Sequence, residues 1–330
     1  MVTGGAFTSG RAACTACGGL LLASATASAD EGATGVWLSG QFSSFAAVPA
    51  APGFSLPLVY YHGDASASAS REFLIGGQLV AGMDVLQDFV FFTPTWAIEH
   101  ALLGAQLEAS LSWAVGSVRV KVDGVLSQCT GTQCTAVLSG SQSGSQAGGT
   151  DLYPMVALKW VQGNNNNTAY LLANVPTGAY QLERLANLGL NHWALDGGYG
   201  YTYLDETKGH EFSLVAGVTY NFENPDTHYR SGLDSHLDLS FSRFLNEHWH
   251  LGVVGYAYYQ LTADSGSGVP TQFGGFEARV FGLGPEAGYF FAMRGDEAYL
   301  SARGYYEFGA KNRPEGWNAY LTCALPIGGK

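Results

Sequence analysis

The sequence predicts an all-β protein: an antiparallel transmembrane β-barrel of about twelve strands, set in an outer membrane and preceded by a signal peptide. Three observations carry this expectation. Apolar and polar residues alternate along arms about twelve residues long, whereas soluble strands usually run ~5–6 and tilted membrane strands need roughly 9–11. Charged residues are only 13% of the 330-residue chain, about half the share usual in soluble domains. No uninterrupted apolar run reaches the roughly 18 residues of a membrane helix. Low charge without such helices fits a wall whose outside meets lipid and whose inside meets water.

The alternation is clearest from Leu233 to Thr262. Leu233, Leu237, Leu239 and Phe241 share one parity, and Asp234, His236, Asp238, Ser240 and Ser242 the other. Successive strand side chains point to opposite faces, so one face is apolar and the other polar. After a tight turn near 245–248, Trp249, Leu251, Val253, Ala257, Tyr259 and Leu261 alternate with His250, Tyr256, Tyr258, Gln260 and Thr262.

Taken in order, residues 1–29 read as a secretory signal. Arg11 precedes a small-residue apolar stretch with Leu20–Leu22, and Ala27-Ser28-Ala29 matches an A-x-A cleavage pattern. Residues 30–53 are small and apolar, and read either as a periplasmic lead-in or as a segment folded into the lumen. The barrel occupies 54–330. Strands are expected near 54–62, 86–98, 104–122, 151–160, 168–175, 191–204, 211–222, 233–244, 249–262, 276–291, 298–308 and 316–326, with a mixed stretch at 63–85. Short connections alternate with longer ones at 123–150, 176–190, 223–232 and 263–275. Short turns are periplasmic and long loops external in such barrels. That rule sends the last strand down and gives an even count of about twelve, with both ends of the barrel periplasmic. A barrel of that size has a narrow lumen, and closure removes sheet edges, so a monomer is expected.

The formal net charge of −12 argues against a nucleic-acid partner. Outer-membrane lipid is the partner of the apolar face. The inward parity gathers Asp234, His236, Asp238, Tyr256, Tyr258, Glu277, Arg279, Arg303, Glu307 and Tyr320 as lumen or ligand-pathway residues, with Glu108, Lys159 and Glu211 beside them. Charged rings set selectivity in pores, and opposite charges can equally satisfy one another in a wet wall. An alternative places a general base at His236 with Asp234 or Asp238, as in a barrel hydrolase. Another makes the loops an adhesive or structural surface. Cys129 and Cys134 enclose four residues in the longest expected outer loop, where an oxidising compartment permits a disulfide. Cys323 falls on the lipid-facing parity. No catalytic, metal or cofactor motif stands out.

Several pieces resemble a known family. They are Gly53-Phe54, Leu56-Pro57, Tyr60-Tyr61 and Gly63-Asp64, then Pro176-Thr177-Gly178-x-Tyr180. The longest is Asn224-x-x-Thr227-x-Tyr229-x-Ser231-Gly232-x-x-x-His236-x-Asp238. Phe244-Leu245-Asn246, Gly255-Tyr256-x-Tyr258-x-Gln260, Asp264-Ser265-Gly266 and Arg279-Val280-x-Gly282-x-Gly284-Pro285 complete the set. Together they resemble the outer-membrane barrels named for the MetA pathway of phenol degradation. The resemblance implies a bacterial outer-membrane location and porin-like uptake of small hydrophobic or aromatic compounds. Similar barrels are also linked with long-chain bases.

Overall fold

The computed structural model describes residues 35–326, except 131–132, 270–276 and 294–295. Sixteen strand segments follow one another: β1 (Gly53–Ile75), β2 (Gln78–Phe92), β3 (Thr95–Leu102), β4 (Ala105–Val122), β5 (Gly124–Thr130), β6 (Gln133–Ser139), β7 (Gln142–Gly149) and β8 (Tyr153–Gln162). Then come β9 (Asn165–Asn174), β10 (Ala194–Asp205), β11 (His210–Asn221), β12 (Asp234–Phe244), β13 (Trp249–Gln260), β14 (Arg279–Met293), β15 (Asp296–Lys311) and β16 (Glu315–Pro326).

From β8 to β16 each strand pairs antiparallel with the next, and β16 closes on β1 from Ser55↔Pro326 to Ser66↔Glu315. Some segments are pieces of one wall strand. Thr93-Pro94 separates β2 from β3, because proline has no N–H for the ladder. Asp123 separates β4 from β5, and short breaks divide β6, β7 and β8. Joining these pieces leaves twelve wall strands, the even number that the turn-length argument required. The protein is a closed twelve-stranded antiparallel β-barrel.

The sidedness follows the alternation. Leu251, Val253, Phe241, Leu283 and Leu321 point outward and are about half exposed, while Ser240, Ser242, His250, Gln260 and Thr322 point inward and are buried. An exposed apolar surface this continuous is untenable in water and natural in lipid. Trp96 and Trp249 mark the short-turn end of the band, and Trp193 and Trp317 the long-loop end, as interfacial aromatic belts do.

Two stretches depart from the expected elements. The mixed stretch 63–85 is the top of one tall hairpin, in which β1 runs to Ile75 and turns at Gly76-Gly77, both with positive φ, into β2. The expected outer loop 123–150 is a strand extension: β5 pairs with β2, β5 with β6, and β7 with β4. Its Ser/Gly/Gln-rich sequence hides this, since both faces of β7 are largely exposed and no apolar alternation is needed. Cys129 and Cys134 stand opposite in register; their side chains and the expected bond lie outside the described residues. The predicted signal, 1–29, also lies outside them.

Candidate functional site in the barrel lumen

Residues 36–50 form no strand, yet eleven of the fifteen are buried and the other four partly so. They descend through the lumen from Trp37 toward the short-turn end and pass into β1. Trp37 makes an isolated bridge and two turns close within the segment, at Leu38–Gln41 and Phe45–Val48; the rest of the backbone must be satisfied elsewhere, and from Ser39 to Ala50 the barrel wall does so. The Gly40 and Phe42 amides donate to the two Asp238 carboxylate oxygens at 2.9 and 3.1 Å. Phe45 N–H donates to Glu211 at 3.0 Å, Ala46 to Ser213 at 3.3 Å, Ala47 to Thr202 at 3.0 Å, and Ala50 to Glu108 at 2.9 Å. The Ser44 hydroxyl donates to Glu286 at 2.8 Å.

Cations and phenols take the carbonyls. Arg303 donates to Gly40 O at 3.1 Å and Gln41 O at 3.0 Å. Tyr305 donates to Gly40 O at 3.2 Å and Tyr320 to Ser39 O at 2.6 Å. Lys159 Nζ donates to Val48 O at 3.0 Å while paired with Glu108 at 3.1 Å, and Gln106 donates to Ala50 O at 2.9 Å. Bonds to ionised groups are stronger than neutral ones, so this collar holds the backbone by charge. Gly40 suits its seat: its φ is +80°, and an added Cβ would lie 2.8 Å from the Tyr305 ring.

The inward strand residues then divide by task. Asp234, His236 and Asp238 do share one buried face, but each serves a different partner. Asp234 accepts from the Tyr258 hydroxyl at 2.7 Å and from Asn221 at 2.8 Å. Asp238 holds the lumen segment. His236 Nε2 meets Asp196 Oδ2 at 2.9 Å, two strands away on β10. Gly217 of β11 lies between them, and a side chain there would collide with His236. The histidine–carboxylate pair is therefore His236–Asp196, which corrects the expectation of Asp234 or Asp238 as its partner. Thr219 donates to Asp196 at 2.6 Å, and the Tyr170 hydroxyl lies 3.3 Å from His236 Nε2.

Tyr256 donates to Glu307 at 2.6 Å, Asn318 donates to the Tyr256 hydroxyl at 2.9 Å, and Glu307 also accepts from the Gly316 amide at 3.0 Å. The Arg303 guanidinium lies 4.3 Å from the centre of the Tyr320 ring.

Two residues expected inside are not. Arg279 is exposed on the outer face of β14, and Glu277 lies before that strand with Lys311 at 3.7 Å. The inward face of β14 instead carries Val280, Gly282, Gly284, Glu286, Gly288 and Phe290. Its glycines make room for rings from the neighbouring strand: a Cβ at Gly282 would collide with Tyr256, and one at Gly288 with His250. Charge drew Arg279 and Glu277 inward in the sequence reading, whereas packing reverses the parity and brings Glu286 in. Asp196, Tyr170, Glu286 and Tyr305 went unrecognised, although the same two-residue alternation places all four on inward parities.

The family described as "Putative MetA-pathway of phenol degradation" matches residues 69–322. The chain belongs to that family. Among solved structures, an outer membrane channel from Pseudomonas putida F1 is similar with a TM-score of 0.63 and 16% identity, covering 83% of this chain and 95% of that one. The beta domain of the Bordetella autotransporter BrkA gives a TM-score of 0.45 at 10% identity, covering 83% and 100%. A FadL homologue of Pseudomonas aeruginosa gives 0.40 at 10% identity, covering 82% and 89%. No curated protein matches the sequence. At these identities the shared property is the barrel fold.

Proposed function

We propose that the barrel is a channel for small hydrophobic or aromatic compounds, closed at rest by residues 36–50. One observation carries this reading: a strandless segment fills the lumen and, from Ser39 to Ala50, is held chiefly by side chains of the wall. Side-chain seats can be vacated without breaking the barrel ladder. The walls behind the segment combine tyrosines, which pack on apolar rings, with charged groups that would keep an opened path wet. Family membership and the channel with the same fold support the reading.

The test is conductance of the refolded protein in a planar bilayer. The intact chain should show small, rare openings. A chain lacking 36–50 should conduct steadily and favour cations, because Glu108, Asp196, Glu211, Asp238 and Glu286 outnumber Lys159 and Arg303 on the exposed wall. In cells, loss of the protein should slow uptake of phenol or naphthalene. Unchanged conductance on removing the segment, with unchanged uptake in the deletion strain, would reject the proposal.

A further inference from the structure

We infer that Trp37 occupies, as a tethered substitute, a binding position in the lumen for a planar aromatic molecule that carries a hydroxyl or N–H group. The inference rests on the channel reading and names the chemistry of one station along it. The indole lies flat on the His236 ring, with centroids 3.4 Å apart and planes 12° apart. Phe42 and Tyr170 stack beside it at 5.5 and 5.8 Å. The position is thus a slot for a flat ring, walled by a histidine, a tyrosine and the segment's own phenylalanine.

The polar side of the slot is unusual. Among the described residues, Trp37 Nε1, His236 Nδ1 and Asp196 Oδ1 are all buried without a hydrogen-bond partner, although His236 Nε2 and Asp196 Oδ2 bond each other. Buried polar groups are nearly always satisfied, and an unsatisfied one needs a reason. The indole fits the slot by shape and leaves its acceptors unused. A ring bearing a hydroxyl or N–H could stack on His236 as the indole does and donate at its edge to Asp196 Oδ1. Tethering explains why the poorer match holds the place. An occupant on the same chain acts at an effective concentration of order millimolar, so a micromolar free ligand is excluded until the segment withdraws.

The experiment is binding of 2-naphthol to the full-length protein refolded in detergent, read by calorimetry. Trp37→Ala should bind 2-naphthol at least tenfold more tightly than the natural chain. Trp37→Phe, which still fills the slot with a ring, should bind weakly like the natural chain. Adding His236→Leu to Trp37→Ala should remove the gain. The inference is overturned if Trp37→Ala, running as a folded barrel on unheated gels, gains no affinity, or if the gain survives His236→Leu. It is overturned equally if Trp37→Phe binds as tightly as Trp37→Ala, since the slot would then not be what is blocked. Flux of 2-naphthol into liposomes is measured separately. Slot binding without flux in any variant would reject the channel reading alone, and flux without slot binding would reject this inference alone.

Discussion

Replacing Asp238 by alanine should unseat the upper part of the lumen segment. Asp238 is buried and accepts two amides, from Gly40 and Phe42. A hydrogen bond to a charged group contributes about 1.5–3 kcal/mol, so losing both removes about 3–6 kcal/mol from the closed state. Each 1.4 kcal/mol is about a factor of ten in an equilibrium. Arg303, Tyr305 and Tyr320 still grip the carbonyls of Ser39, Gly40 and Gln41, which puts the effect at the lower end: the closed-to-open ratio should fall by about a hundredfold. Open probability in a planar bilayer reads that ratio directly. Acrylamide quenching of Trp37, measured with the other tryptophans replaced by phenylalanine, reads the same change by solvent access. Asp238→Asn should fall between alanine and the natural residue, because its carbonyl serves one amide while its NH2 opposes the other. If Asp238→Ala leaves both open probability and quenching at the natural level, the carboxylate is not what holds the segment, and the closure argument fails.

Other variants extend the argument. Lys159→Met should lower barrel stability by about 3–5 kcal/mol, because it strands the buried Glu108 charge, and pairing it with Glu108→Gln should recover most of the loss; urea unfolding in lipid vesicles followed on gels tests both. Gly40→Ala should shift closure by about tenfold, since a left-handed conformation costs a non-glycine residue roughly 1–2 kcal/mol, before the Tyr305 and Tyr256 rings yield; bilayer recordings measure it. His192 lies buried in the loop 175–193, its carbonyl accepting from Asn174 at 2.7 Å, and burial lowers its pKa below the ordinary 6.5. The folded loop thus prefers neutral imidazole, and the stability this confers is complete above about pH 6.5 and lost as pH falls toward the depressed value. Amide exchange in that loop, corrected for intrinsic rates, should speed on acidification by at most about tenfold per pH unit, and His192→Gln should remove the dependence.

The wall was legible in the sequence because lipid enforces the pattern. From Leu237 to Phe241 and from Leu251 to Tyr259 the outward residues suit hydrocarbon and the inward ones the lumen, so a two-residue period survives along the strands. Where lipid stops, so does the signal: β5 to β7 rise beyond the band, and a run such as Ser-Gly-Ser-Gln meets no demand that would reveal a strand. The lumen was legible only in part. Polarity marked Asp238, Arg303, Glu307 and Tyr320, but polarity alone misplaced Arg279, since inward positions of β14 were taken by glycines beneath neighbouring rings. The His236–Asp196 pair joins strands that are not adjacent, through the space that Gly217 leaves open, and no spacing along the chain encodes it. The lumen segment is quieter still. It is anchored mainly through backbone amides and carbonyls, which every peptide possesses, so Gly-Gln-Phe-Ser-Ser-Phe carries no mark of its seat.

The seats of that segment are spread over nearly the whole circumference. Gly40 reaches Asp238 across 198 positions of chain, Arg303 across 263, and Ser39 reaches Tyr320 across 281. Residues made near the beginning of synthesis find their partners only after the last strand has been added. Slipping any one strand by a single residue turns its inward side chains out, and the corresponding seat disappears. Occupation of the lumen is therefore a checksum on assembly: only a wall completed in the right register can accept residues 36–50, and a miscounted barrel would be left open and leaking, with that segment unhoused.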